Sequence, residues 1–220
     1  INKNFDNLII KKMWILMDEN KISIKIVEDL FDGIESDLNE VVKFNKKKEL
    51  LIYSYRVAGT VGLMMAKILG VQNKNSMKSA IDLGIAMQLT NISRDVIEDM
   101  NNNRFYINHD FETIKNTLSM ADLFYESSFA SIKEIPFRFR FAILVARRIY
   151  RKIGAKILQK ENIYNYNRSG KIYVANLGKL YQTFLSILDL IKLIFINEKN
   201  HLRNKEHLLI NEEIDLNERI

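Results

Sequence analysis

The chain has 220 residues, 47% of them hydrophobic and 27% charged, with a net charge of +6. That length holds one large domain with its own core, and the mild positive charge suits an anionic small molecule, an anionic membrane face or nucleic acid. Cysteine is absent, which excludes disulfides, thiolate catalysis and cysteine-held zinc or iron–sulfur centres.

A single proline, Pro136, and 8 glycines leave few helix breakers, so long helices are expected. Residue 1 is Ile, and no signal peptide follows; the expectation is a cytoplasmic chain that begins partway through a longer protein. Residues 22–43 read as an amphipathic helix with Ile26, Leu30 and Ile34 on one side and Asp29, Asp32 and Asp37 among them. Residues 49–70 are apolar nearly all round, which predicts a buried helix closed by Gly70. The next helix spans 77–100, and Asn101–Asn103 end it. A further helix covers 111–133, Pro136 breaks the chain, and a basic helix follows over 138–158. Residues 162–171 read as a loop rich in Tyr and Asn, and 173–197 as another helix. That helix carries Asp189 and Lys192, so it is too charged for a membrane span. From Glu198 the chain is polar, a tail expected to fray. No alternating strand pattern is visible, and the fold class is all-α, with a helical domain over 1–197 and a tail over 198–220.

The informative stretch is AMQLTNISRDVIEDM, residues 86–100. Helix positions four apart share a face, so Asn91, Asp95 and Asp99 form a stripe, with Gln88 a turn earlier. Two carboxylates and an amide oxygen make an oxygen-only site of the kind Mg²⁺ prefers, leaving places for water and substrate phosphate. Arg94 beside them can hold a phosphate by two hydrogen bonds. The plainer alternative is a solvated face with helix ion pairs, but residues 81–92 are too apolar for an exposed helix, and buried carboxylates without partners cost several kcal/mol.

QLTNISRDVIED followed by NRFY resembles the second aspartate-rich motif of the squalene/phytoene synthase family. YSYRVAGTVGLMMAKILGV (53–71), LFDGIESDL (30–38), ILVARRIYRKIG and SGKIYVANLGKL resemble other blocks of that family in the right order, over roughly residues 20–180. VAGTVGLMM, DLGIAMQLTNI and ARRIYRKIG are most similar to bacterial phytoene synthases of carotenoid pathways. The resemblance implies a single-domain isoprenoid-synthase helical bundle around a central apolar cavity. It implies head-to-head joining of two geranylgeranyl diphosphates through a cyclopropyl diphosphate to phytoene. Magnesium (with manganese as a substitute) would assist departure of the diphosphate, and no NADPH would be needed. Asp95, Asp99 and Asn91 match metal-binding positions, Arg94 a diphosphate contact, and Tyr53 a tyrosine near the reacting carbons. Gln88 matches a polar wall residue. Arg104 and Tyr106 match the pair after the acidic helix, and Val57, Val61, Gly62, Leu83 and Met87 match tail-pocket positions. Tyr150 stands at a cavity position. Lys171 stands where arginine is usual, which keeps the charge and loses the fork.

Outside the resemblance, plain structural readings hold. Asp29, Asp32 and Asp37 are expected on a solvated face (Asp37 matches an aspartate of the family's helix, with no metal role), Trp14 in the core, and His109, His201 and His207 on the surface. Two departures stand out. Nothing in residues 1–20 replaces the family's first aspartate-rich motif, so a chain truncated upstream is expected. The segment between NRFYI and MADLFYESSF is shorter than in relatives by one to two helical turns or more. The alternatives are a squalene or dehydrosqualene synthase using farnesyl diphosphate, and a non-catalytic prenyl-lipid-binding or assembly-factor relative. The basic helix and the apolar run 184–195 suit a membrane surface, so a peripheral position on the inner membrane is expected and nucleic acid is not.

Overall fold

The computed structural model describes residues 7–196 and 201–220. Helix α1, Leu8–Glu19, starts where the Asn7 side chain accepts the backbone N–H of Ile9 at 2.8 Å. Half-buried Trp14 packs from it onto the core. Helix α2, Ile24–Ser36, is capped by Ser23. The sequence reading carried this helix to 43. It stops at Ser36, and Val42–Lys43 forms a short strand, β1, hydrogen-bonded in parallel to β2, Arg104–Phe105. The buried face of α2 is Ile26, Val27, Asp29 and Gly33, whereas Ile34 is exposed, so the expected stripe is rotated.

The buried helix predicted over 49–70 is three pieces run together. These are α3, Lys47–Ser54, a π-helical turn at Tyr55–Gly59, and α4, Thr60–Ile68. Gly70, at φ +81°, closes α4 in the left-handed region where a side chain is strained. The Val71 N–H reaches back to the Ala66 carbonyl at 3.0 Å, as in a Schellman turn. Helix α5, Lys74–Asn101, is the central rod, packed against α4, the π turn, α6 (Phe111–Phe129) and α7 (Phe137–Leu158). The approach of α5 to the π turn and α4 is set by backbone contact. A Cβ on Gly84 would stand 2.2 Å from the Ala58 carbonyl oxygen, and one on Gly62 would stand 2.2 Å from that of Ala80.

A 3₁₀ turn, Ala130–Glu134, leads to Pro136 and into α7. Residues 163–168, read from sequence as loop, form a short helix, α8, Ile163–Arg168. Helix α9 is Asn176–Phe195. The basic helix α7 uses its arginines internally. Arg147 is buried and donates to the Tyr125 carbonyl, Arg148 pairs with Asp189 of α9, and Arg151 forks onto Asp122. Arg147, Arg148 and Arg151 thus pin α7 to α6 and α9.

The tail does not fray over its described residues 201–220. It forms α10, Lys205–Asn211, and buries His207, Ile210, Ile214 and Leu216. His201 and His207, expected on the surface, are both buried against Asp82 of α5, at 2.6 and 2.9 Å. Ser127 also donates to that carboxylate. Burial alone would raise the Asp82 carboxyl, but hydrogen bonds from the two rings outweigh it and hold the group below the ordinary carboxylate range. Among the described residues this is the one His/Asp cluster with metal-ligand spacing. Yet the Nδ1 of His207 accepts the Asn204 N–H at 3.0 Å, so the ring proton sits on Nε2, facing Asp82, and that lone pair is not free for a metal. The cluster is a hydrogen-bonded clamp. A second clamp joins Arg219 to buried Asp29, at 3.0 Å, with the Tyr55 hydroxyl donating to the same carboxylate at 2.8 Å. Asp29 is therefore not on a solvated face.

Candidate active site

Gln88, Asn91, Asp95 and Asp99 lie on one face of α5, as the spacing predicts. Gln88 and Asn91 border a largely apolar cavity of about 520 Å³ between α4, α5 and α7. Val57, Val61, Gly62, Leu83 and Met87, the predicted tail-pocket residues, all line it. Phe139 and Ile143 of α7 close one side. The Asn91 Oδ1 is buried and has no hydrogen-bond partner in the protein, an arrangement that costs free energy unless a ligand is met there.

One turn on, Asp95 accepts from Arg94 Nε at 2.8 Å, and Lys171 Nζ stands 3.5 Å from the same carboxylate. Lys171 also pairs with Glu98 at 2.7 Å. Arg94, predicted to face phosphate, thus lies across Asp95. Asp99 has no such cation close by. Burial, and then the carboxylates of Asp95, Glu98 and Asp37, push its carboxyl up to about 7. Tyr166 of α8 braces this segment from below, its hydroxyl donating to the carbonyls of Ser93 and Arg94 at 3.0 and 2.9 Å. Burial raises that phenol to about 12. Sequence reading passed over Tyr166 because it stood in an apparent loop.

Tyr53 and Tyr106 stack with ring centres 4.8 Å apart. Their hydroxyls reach the two oxygens of Asp37, each at 2.7 Å. Asp37 was expected in solvent; it is instead the hub of a buried aromatic pair. Burial raises both phenols well above the ordinary tyrosine value, so they stay neutral. Arg104 donates to the Asp37 main-chain carbonyl and to the carbonyl of Asn102, which ties the end of α2 to the end of α5. Tyr150 of α7 is half-buried and within electrostatic reach of Arg94, but it does not line the cavity. A second, more polar groove of about 660 Å³ meets these residues only through Tyr106.

An octahedral, oxygen-preferring cation fits what the side chains offer. The set contains one orphaned amide oxygen, two carboxylates a turn apart and no soft donor. The carboxyl of Asp99 is raised first by burial and then by the neighbouring carboxylates, a cost that a bound cation would relieve.

The fold is that of a crystal structure of a dehydrosqualene synthase in complex with ligand, with a TM-score of 0.68 at 25% identity, covering 85% of this chain and 72% of that one. The class is therefore the all-α isoprenoid-synthase bundle, built around the apolar cavity. In sequence, residues 12–112 match the squalene/phytoene synthase family. A 15-cis-phytoene synthase of Paracoccus sp. is 37% identical over 147 residues, 59% of this chain and 48% of that protein. That of Pantoea ananas is 35% identical, covering 60% and 49%. A chloroplastic phytoene synthase of Zea mays is 31% identical, covering 72% and 44%. The chain belongs to the squalene/phytoene synthase family. It spans about half the length of these relatives.

Proposed function

We propose that the protein carries out phytoene synthase-type condensation, joining two geranylgeranyl diphosphates head to head through a cyclopropyl diphosphate. The observation that carries this reading is the Asn91–Asp95–Asp99 stripe, which begins at the rim of the apolar cavity with an unpartnered amide oxygen. Magnesium held by Asp95, Asp99 and Asn91 would supply Lewis-acid assistance to departure of the diphosphate.

The chain's own residues would do the rest. Arg94 and Lys171 now neutralise Asp95 and Glu98; as cations beside the acidic stripe they suit the departing diphosphate. The cavity walls, Val57, Leu83 and Met87 among them, hold the hydrocarbon tails and keep water from the allylic cation. Neutral Tyr53 and Tyr106 offer phenol oxygens and ring faces without a base strong enough to quench that cation.

Among the described residues no helix is long and apolar enough to cross a membrane. The outer face of α9 exposes Leu177, Leu180, Phe184, Ile194 and Phe195. That face supports peripheral contact with a lipid surface, where substrates and product of this class reside.

The test is to incubate protein expressed from the complete reading frame with geranylgeranyl or farnesyl diphosphate, with magnesium or with chelator, and to identify the products by mass spectrometry. Magnesium-dependent phytoene from the C20 substrate is expected. A C30 product from farnesyl diphosphate alone would shift the reading to dehydrosqualene or squalene synthesis. No turnover of either substrate would favour a non-catalytic prenyl-lipid binder.

A further inference from the structure

Asp37 stands outside the α5 stripe, just past the end of α2. Its geometry links it to the site. Tyr53 comes from α3 and Tyr106 from the segment after β2. Only 6% and 9% of these residues is exposed, so water does not satisfy their hydroxyls. Each hydroxyl carries one proton, and each finds a separate Asp37 oxygen at 2.7 Å. With both protons so committed, the 3.1 Å contact between the two hydroxyls cannot be a full hydrogen bond as well. One carboxylate therefore fixes the rotation of both phenols. It also leaves both oxygens richer in electron density than a phenol bonded to a neutral acceptor.

The carboxylate is itself fixed. Arg104 grips its main-chain carbonyl, and β1, which ends the loop that bears Asp37, is hydrogen-bonded to β2. Phe44, the residue after β1, packs its ring on both tyrosines, at 5.3 and 5.5 Å. The assembly faces Asp99, which feels the charge of Asp37 and is felt in turn by Tyr106. Tyr53 lies one turn before Val57, a wall of the apolar cavity. Tyr106 lines a small crevice together with Asp99, and Tyr53 leads along the chain to the cavity wall, so the pair adjoins the acidic stripe on one side and the helix that carries the wall on the other.

We propose that Asp37 is a positioning residue of this site, acting through Tyr53 by locking its phenol in a fixed, electron-rich orientation beside the developing allylic cation. The proposal rests on the prenyl-diphosphate reading above. It assigns Asp37 neither a metal nor a proton-transfer role.

The test compares wild type, Asp37→Asn, Asp37→Glu, Tyr53→Phe and the Asp37→Asn/Tyr53→Phe double variant, expressed from the complete reading frame and assayed with geranylgeranyl diphosphate at varied magnesium. Asp37→Asn should lower kcat by about 100-fold, the cost of releasing a reacting-site group from its orientation, with KM within about threefold. Asp37→Glu should recover part of the loss. The double variant should be no worse than the poorer single variant, because both remove one device. The magnesium dependence should not move. Near-ultraviolet circular dichroism confirms that each variant is folded, and Asp37→Glu carries the test if Asp37→Asn does not fold. Full kcat in folded Asp37→Asn overturns the proposal, as do losses that multiply in the double variant or a shifted magnesium midpoint, which would make Asp37 a ligand. An inactive wild type overturns the prenyl-diphosphate reading itself, and this proposal with it.

Discussion

Replacing Gly84 by alanine tests the claim that α5 touches the π-helical turn leading into α4 through their backbones. In the interior of α5, alanine is the better helix former by about 1 kcal/mol, so propensity alone predicts stabilisation. Against this, the new Cβ would lie 2.2 Å from the Ala58 carbonyl oxygen, 2.7 Å from its carbon and 3.0 Å from the Gly59 Cα. Ordinary contact begins near 3.4 Å, so the helices must part by about 1 Å at a point where no flexible side chain can give way. Overpacking of this kind costs about 3 kcal/mol, at the upper end of its usual range. The net loss is then about 2 kcal/mol, or about 4–8 °C in Tm for a chain of this size. Thermal unfolding followed by far-ultraviolet circular dichroism reads it directly. Gly154→Ala is the matched control: that glycine also lies inside a helix, but its added Cβ would meet only the Leu118 side chain, at 3.2 Å. It should leave Tm unchanged or raised. A Gly84→Ala protein as stable as wild type would refute the backbone-contact account of the cavity wall.

Asp95→Asn should abolish magnesium-dependent turnover while the far-ultraviolet spectrum stays that of wild type; phytoene output within threefold of wild type would count against the stripe as the metal site. Asp82→Ala leaves two buried rings without their acceptor, so it should cost about 3–5 kcal/mol and expose residues 201–220 to limited proteolysis, which mass spectrometry of the fragments would locate. Asp99 binds its proton more tightly folded than unfolded, so in chelator the protein should lose stability as pH rises from about 4, the unfolded value, towards 7. Asp99→Asn should flatten that slope in urea titrations, and an unaltered slope would show that the raised carboxyl is not Asp99.

The acidic stripe was legible in sequence because its message is local: residues four apart on one helix share a face whatever the rest of the chain does. The tail-pocket residues came from the family resemblance; residue type alone does not separate Val57, Val61 or Leu83 from ordinary core, and the structure places all five on the cavity wall. Asp29, Asp37, His201 and His207 were misjudged together, and for one cause. A lone Asp or His reads the same in solvent or in a clamp, and what decides is a partner far along the chain. Arg219 is 190 residues from Asp29, His207 is 125 from Asp82, and Tyr106 is 69 from Asp37. The end of α2 was overrun because helical periodicity continues past Ser36, while the pairing of β1 with β2 depends on a strand over 60 residues later.

Those distant clamps also set an order of events. Helices α2 to α7 emerge in sequence during synthesis and can pack as they appear. The contacts from His201, His207 and Arg219 close loops of more than a hundred residues, the slow class of contact. Until they form, the Asp82 carboxylate on the central rod lacks its two ring donors, and the far end of that same rod carries the acidic stripe. Completion of the clamp on the central rod is thus timed to the arrival of residues 201–207. A ribosome stalled before them would present a nascent chain whose helices have formed while Asp82 still lacks its two ring donors, an incomplete state of the kind chaperones hold.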